Sequence, residues 1–411
     1  MPSYLTRLAD PALDRLLAEH PAVMLVGPRA CGKTTTARRH CAGQLRLDRP
    51  AEARVARIDP DAAINGGPFP LLIDEWQMVA EILGAVKRAV DDDPAPGRFV
   101  IAGSTQADLT AAGWPATGRL IRLPMYGFTE GELARQPRAD FLDRLVTGDA
   151  TQFPILHEAP NVRGYITSAL RGTFPEAALA GSADFRRRWL ASYIDQLVSR
   201  DASLVGSVRD PMRLRRYLQA LAACTAETTT AKRLIDAAGI SQHTADGYDA
   251  LLEQLMVTDK LPAWSSNRLN RLSRLPKRHL VDPAFAGPLL GIDVRAVMRD
   301  GDLLGALLES FAVAQLRSQC ALLDEPPRLF HLRDANGRRG VDVIIEFSDG
   351  RVAGIEVKAS ASPEPDDARH LRWLRDSIGD RFLAGAVLHT GPRSFRLDHN
   401  ILALPVYSLW N

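Results

Sequence analysis

Short apolar runs separated by charged helical patterns organise the first third of the chain. PAVMLV (21–26), LLID (71–74) and FVIAG (99–103) are nearly continuous apolar stretches bounded by Pro, Gly or acids, which predicts strands buried on both faces. GQLRLD, ending at Asp48, predicts another. Between them TTTARRHCAG, PAEARVARIDPDAAI and VAEILGAVKRAVDDD read as helices, the last followed by the turn PAPG. Strand alternating with helix predicts a parallel, doubly wound sheet. GFTEGEL then begins a helix capped by Thr129, with Glu132 at the capping-box position.

From about residue 140 the pattern is helical: FLDRLVTG, NVRGYITSALRG, a helix from Trp189 to Val198, and PMRLRRYLQALAACT. TTAKRLIDAAGISQHTADGYDALLEQLMV fits a helix-turn-helix, turning at Gly239 with Ser241 as N-cap, before a wing. From about 284 a third pattern starts. GDLLGALLESFAVAQLRSQC is a helix, PRLFHLRD, VDVIIEF and RVAGIEVKAS are strands joined by tight turns, and PDDARHLRWLRDSIG is a helix before two more strands. The expected architecture is α/β. It places a P-loop sheet over 1–139, a helical and winged-helix-like segment over 140–283, and a second α/β domain over 284–411.

Composition narrows the classes. Over 411 residues, 46% hydrophobic and 24% charged is a globular balance, and a net charge of +2 confines any nucleic-acid surface to a local patch. Cys31, Cys41, Cys224 and Cys320 show no CxxC spacing, so neither a zinc site nor a disulfide framework is expected. No apolar run approaches about 18 residues. The N-terminus MPSYLTRLADPALDRLL reads as an amphipathic helix containing acids, unlike a signal peptide, so the expectation is a cytoplasmic protein with no membrane partner.

GPRACGKTT, Gly27 to Thr35, lies between a predicted strand and a predicted helix, the context that a P-loop requires. Gly27 and Gly32 permit the turn, and the backbone from Pro28, Arg29, Ala30 and Cys31 onward can cradle phosphates. Lys33 reaches the β/γ oxygens, Thr34 can hold Mg²⁺, and Thr35 follows on the helix. Asp74 and Glu75 sit at the C-terminal end of a buried strand, where open α/β sheets place ligands. Asp74 is expected in the Mg²⁺ shell and Glu75 beside the attacking water. Ser104, with Thr105, ends the next strand; it either touches the γ-phosphate or forms a plain strand-to-turn junction. Arg119 and Arg122 either reach a γ-phosphate, in this subunit or a neighbour's, or pair on the surface. The former implies a homo-oligomer.

These motifs, with LRLDRPAEAR, VIAGSTQ, TGRLIRLPMYGFTEGEL, LRGTFPEAAL and RRRWLASYIDQLVSRD, are collinear with a known family. The chain resembles prokaryotic AAA-type ATPases that carry a C-terminal domain of unknown function. The resemblance implies ATP and Mg²⁺ as cofactors, an ATPase domain, a helical segment and a nuclease-like domain.

The C-terminal order of helix, three-strand meander, helix and strand is similar to the PD-(D/E)xK nuclease core. Glu309 lies on the helix, Asp342 heads the second strand, and Glu356 and Lys358 alternate on the third, so the last two share a face. Carboxylates there suit Mg²⁺, with Lys358 as the catalytic cation. The other reading keeps the fold for docking. Gly340 stands where relatives carry an acid. In the middle segment the second helix carries Asp246, Asp249 and Glu253, which phosphates repel. The wing SSNRLNRLSRLPKRH holds Arg268, Arg271, Arg274, Lys277 and Arg278 without an acid. It either contacts the DNA backbone or docks on an acidic neighbouring face.

Overall fold

The computed structural model describes residues 4–103, 118–201, 210–334 and 338–411. The chain forms two compact units, one of Met1–Phe128 with Gln254–Met256, the other of Thr129–Glu253 with Val257–Asn411.

In the first unit β1 (Ala22–Val26), β2 (Gly43–Arg46), β3 (Leu71–Asp74), β4 (Phe99–Ala102) and β5 (Ile121–Pro124) form one parallel sheet ordered β2-β3-β4-β1-β5. The central strands are buried along their length because helices cover both faces of a parallel sheet. Met24, Ile73 and Ile101 pack with Trp76, Ile82 and Val86 into one core. β5 is an edge strand, and its Arg122 is exposed. The charged helical stretch is two helices, Pro50–Ile58 and Pro60–Asn65. Asp59 interrupts it by accepting from Ala62 N at 2.9 Å, and Pro60 opens the second helix.

The second unit contains a hairpin of β6 (Thr258–Leu261) and β7 (Lys277–Leu280). Its six-stranded mixed sheet has the order β12-β13-β11-β10-β9-β8. Here β8 is Arg328–Arg333, β9 Gly340–Glu346, β10 Val352–Val357, β11 Phe382–His389, β12 Phe395–Asp398 and β13 Ile401–Pro405. β8, β9 and β10 form an antiparallel meander after the helix Gly301–Cys320; the helix Arg369–Ile378 then crosses to β11, parallel to β10.

The middle and C-terminal stretches, read from sequence as separate domains, share this unit. The helix Gly301–Cys320 is buried on every side from Leu307 to Cys320, so it needs partners all round. The helix Val162–Arg171 supplies one face. Tyr407 N donates to Tyr165 Oη at 3.2 Å, and Glu130 N to Gln315 Oε1 at 2.9 Å. The unit begins at Thr129, where the capping box forms in full: Glu132 N donates to Thr129 Oγ1, and Thr129 N to Glu132 Oε2 at 2.7 Å.

Candidate nucleotide site and a C-terminal carboxylate cluster

The P-loop leaves β1 at Gly27. A Cβ there would lie 1.9 Å from the Met125 carbonyl oxygen, so only glycine lets the loop pass the chain after β5. Gly32 opens the following helix, Lys33–His40, with φ +103°, and Ala30 also adopts a left-handed conformation. Lys33 is buried, its Nζ donating to Gly27 O and Pro28 O at 2.8 Å each. Arg29 is half-buried, while Thr35 is exposed on the first turn. Thr34 Oγ1 donates to Asp74 Oδ1 at 2.8 Å. Burial raises the Asp74 carboxyl above its usual range and the charge of Glu75 adds to this, although the Thr34 bond opposes it. Glu75 holds φ +55°, unusual for a residue with a Cβ, and its Oε2 accepts from Gln77 Nε2.

A residue not singled out from sequence braces this loop. Arg7, buried, donates to Cys31 O at 2.9 Å, Tyr126 O at 2.8 Å and Gly127 O at 3.1 Å, with its guanidinium 4.4 Å from the Phe128 ring centroid. Sequence reasoning had no cue, because two of its partners lie 119 and 120 residues away.

Arg119 does not join the P-loop of its own chain. It precedes β5, whose Ile121 pairs with Val23 near the start of β1, so it stands at the N-terminal edge of the sheet. There it pairs with Asp91, at the end of the helix Ile82–Asp92. Ser104 lies outside the described residues.

In the second unit β7 alternates: Arg278 turns to Asp249, which it meets at 2.6 Å, while Lys277 and His279 turn to the helix Gly301–Cys320. Lys277 Nζ donates to Glu309 Oε1 at 2.7 Å and Asp342 Oδ1 at 3.1 Å. Asp342 Oδ2 accepts from Val357 N at 2.9 Å. Glu356, on β10, is buried, 3.5 Å from Lys358 Nζ; His370 Nδ1 stands 3.7 Å from its Oε1, beyond hydrogen-bond reach.

The charges follow from this packing. Burial favours the neutral form of Lys277, but Asp342 and Glu309 outweigh it and raise its pKa. Burial and the neighbouring Asp342 lift Glu309 well above the usual carboxylate range. Asp342 is itself lowered: the charge of Lys277 and the Val357 N–H overcome burial. Glu356 is pushed up to about 7, mainly by burial and then by Asp342.

Three carboxylates are a donor set for a hard divalent cation, yet the position between Glu309 and Asp342 is filled by an ammonium. Glu309, Asp342 and Glu356 therefore do not fit a resident metal as they stand. Among the described residues no three His, Cys, Asp or Glu side chains are gathered as a metal would need.

The basic wing is also altered by the structure. Arg271 makes two 2.6 Å bonds to Glu346 and is nearly buried against Trp264 and Phe330. Arg278 and Lys277 are committed to carboxylates as above, and Arg274 donates to Arg333 O at 3.0 Å. Arg268 is exposed. The acids lacking within the wing come from Asp249, Glu309, Asp342 and Glu346, between about 20 and 75 residues away in the chain.

Residues 19–134 match the AAA domain family, residues 162–296 a domain of unknown function (DUF8612), and residues 304–409 another (DUF4143). Uncharacterized proteins of Mycobacterium tuberculosis (Rv2008c) and Mycobacterium bovis (Mb2031c) are each 29% identical over 405 residues, covering 97% of this chain and 83% of theirs. Among solved structures, the Walker-type ATPase PABY2304 of Pyrococcus abyssi is similar over 68% of this chain and 94% of its own, at 13% identity and a TM-score of 0.42. No helix among the described residues is long and apolar enough to cross a membrane. With the loop, Lys33 and the Thr34–Asp74 pair at the C-terminal edge of a parallel sheet, the match over residues 19–134 identifies a P-loop ATPase domain of the AAA type, followed by domains whose functions are unknown.

Proposed function

We propose that the protein hydrolyses ATP with Mg²⁺ at Lys33, Thr34, Asp74 and Glu75, and that turnover switches what the rest of the chain binds. The observation that carries the hydrolytic part is the 2.8 Å bond joining Thr34 to Asp74 across 40 residues, with Glu75 next in the chain. A hydroxyl and a carboxylate so joined are a fitting donor pair for Mg²⁺ beside the loop amides. Bound there, Mg²⁺ neutralises charge on the β/γ oxygens. Lys33 exchanges the Gly27 and Pro28 carbonyls for phosphate oxygens, and the loop N–H groups hold the remainder. Glu75, released by Gln77, orients the attacking water and accepts its proton. Arg119, placed at the far edge of its own sheet, contributes in this reading only from a second copy.

The test is phosphate release alongside binding of a fluorescent ATP analogue. Lys33→Ala is expected to lose binding. Glu75→Gln is expected to bind while turnover falls by about 10²–10⁴, the range for one general base. Unchanged turnover in both variants would remove the assignment. Mixing Arg119→Ala with Glu75→Gln subunits tests for action from a second copy: rescue of turnover supports it, and strictly additive activity opposes it.

For the C-terminal module, the order of helix, meander, helix and parallel strand favours kinship with PD-(D/E)xK nucleases. Lys277 inside the carboxylate cluster favours a docking role over metal-dependent cleavage, and a nucleic-acid partner then rests mainly on Arg268 and Arg274. Cleavage of duplex, single-stranded or RNA substrates by the wild type, abolished by Asp342→Ala, would restore the nuclease reading.

A further inference from the structure

The second unit holds a cluster whose chemistry the ATPase reading does not use. Lys277, Glu309, Asp342 and Glu356 come from a hairpin, a helix and two sheet strands, and the hairpin decides what fills the cluster. Its strand β7 is fixed by its backbone: Arg278 N donates to Glu227 O at 3.2 Å, and Ala226 N to Arg278 O at 2.7 Å. Antiparallel pairing to β6 sets Lys277 opposite Leu261. Strand alternation then sends Lys277 and His279 to the Glu309 side and Arg278 to the Asp249 side. The lysine is thus delivered by a rigid element.

Two observations beyond the acids indicate a cation site. Glu356 is 4% exposed, and its Oε1 has no hydrogen-bond partner among the described residues. An unsatisfied carboxylate oxygen buried to that degree is destabilising unless a cation or donor compensates it. His279, 1% exposed, likewise leaves Nε2 unbonded, 3.7 Å from Glu309 Oε1. The cluster thus retains acceptor capacity that one ammonium, with its contacts to Glu309 and Asp342, does not use.

We infer that Lys277 is a resident cation occupying a latent divalent-metal site, so that removing its charge turns Glu309, Asp342 and Glu356 into ligands for Mg²⁺ or Mn²⁺. An ammonium is singly charged and cannot act as a Lewis acid on water, so the cluster as folded holds charge without activating a nucleophile. A divalent ion has to displace a buried, twice-bonded ammonium before it can bind, and the displaced charge then lacks its carboxylates. The inference rests on the docking reading of the C-terminal module and is independent of the ATPase reading, whose Glu75→Gln test can fail without touching it.

The experiment uses the full-length chain without nucleotide, carrying Asp74→Asn to silence the P-loop metal ligands. Mn²⁺ binding is followed by electron paramagnetic resonance and by the unfolding midpoint. With Lys277 present, added Asp342→Asn is expected to leave Mn²⁺ binding unchanged, and chelator to leave the midpoint unmoved. Lys277→Met is expected to lower the midpoint in chelator, recover it in millimolar Mn²⁺, and bind Mn²⁺ at least about tenfold more tightly, a difference of roughly 1.4 kcal/mol. Adding Asp342→Asn to Lys277→Met is expected to abolish that gain.

Lys277→Arg keeps the charge and is expected to exclude Mn²⁺ as the lysine does. If Lys277→Met folds only with Mn²⁺ present, the inference is supported. If it folds in neither condition, the first arm decides: Mn²⁺ bound by the Lys277 protein and lost with Asp342→Asn overturns the inference, and its absence supports it. Lys277→Met that folds normally and gains no Mn²⁺ affinity also overturns it.

Discussion

Replacing Arg271 by alanine separates two uses of the same basic loop. The guanidinium makes two 2.6 Å bonds to Glu346 and one of 2.7 Å to Ser265 O, with side-chain exposures of 9% and 12% for the pair. Removing one member of a buried pair costs about 3–5 kcal/mol, because the other charge is left without compensation. Here the lower end applies, since Glu346 keeps the Trp264 Nε1 bond at 3.2 Å and water can reach it at the edge. With a urea slope of about 1–3 kcal/mol/M, a loss of about 3 kcal/mol moves the midpoint by about 1–3 M.

The assay is urea unfolding by tryptophan fluorescence and circular dichroism, with Glu346→Ala and the double variant completing a cycle. Arg268→Ala, on the exposed side, is the control and is expected to stay within about 0.5 kcal/mol. A loss below about 1 kcal/mol for Arg271→Ala, together with weaker binding of every DNA sequence tested, would refute the structural role. It would restore the backbone-contact reading of the wing.

Arg7→Ala is expected to weaken nucleotide binding while the fold persists, because the Cys31 carbonyl and the chain after β5 lose their shared donor; unchanged affinity in a binding titration would contradict this. His40 bonds Asp10 at 3.0 Å and Asp14 at 2.6 Å, which raises its pKa, while Asp10 is lowered, its bonds with His40 and others overcoming burial. The His40 contribution is therefore fully present below its ordinary 6.5 and is lost as pH rises through the raised value; the Asp10 contribution fades as pH falls through its lowered one. Thermal unfolding across pH checks this, with His40→Gln expected to flatten the alkaline slope. Gln77→Ala frees Glu75 Oε2 and is expected to raise basal turnover without changing ATP binding, measured by phosphate release.

The nucleotide site was legible because its parts are local. Gly27 to Thr34 lie in one turn, and Asp74 ends a strand whose apolar run announces it. Joining them needed only parallel strands. β5 was harder: IRLP alternates in burial as an edge strand does, and its direction is what carries Arg119 away from the loop. In the C-terminal module Glu309, Asp342 and Glu356 were legible by element order, whereas Lys277 was read as wing. Its partners lie 32 and 65 residues downstream, and a run of basic residues carries no mark of which carboxylates it will meet. The acids were counted as absent because the count stopped at the loop.

The Arg7 brace has a consequence for synthesis. The same guanidinium holds the Cys31 carbonyl and the carbonyls of Tyr126 and Gly127, so the phosphate loop acquires its final support only after residue 127 has left the ribosome. Until then a nascent chain carries the whole GPRACGKT signature with its backbone unanchored at Cys31. Nucleotide capture becomes a late event in translation, and a ribosome stalled before residue 126 displays the motif without the affinity.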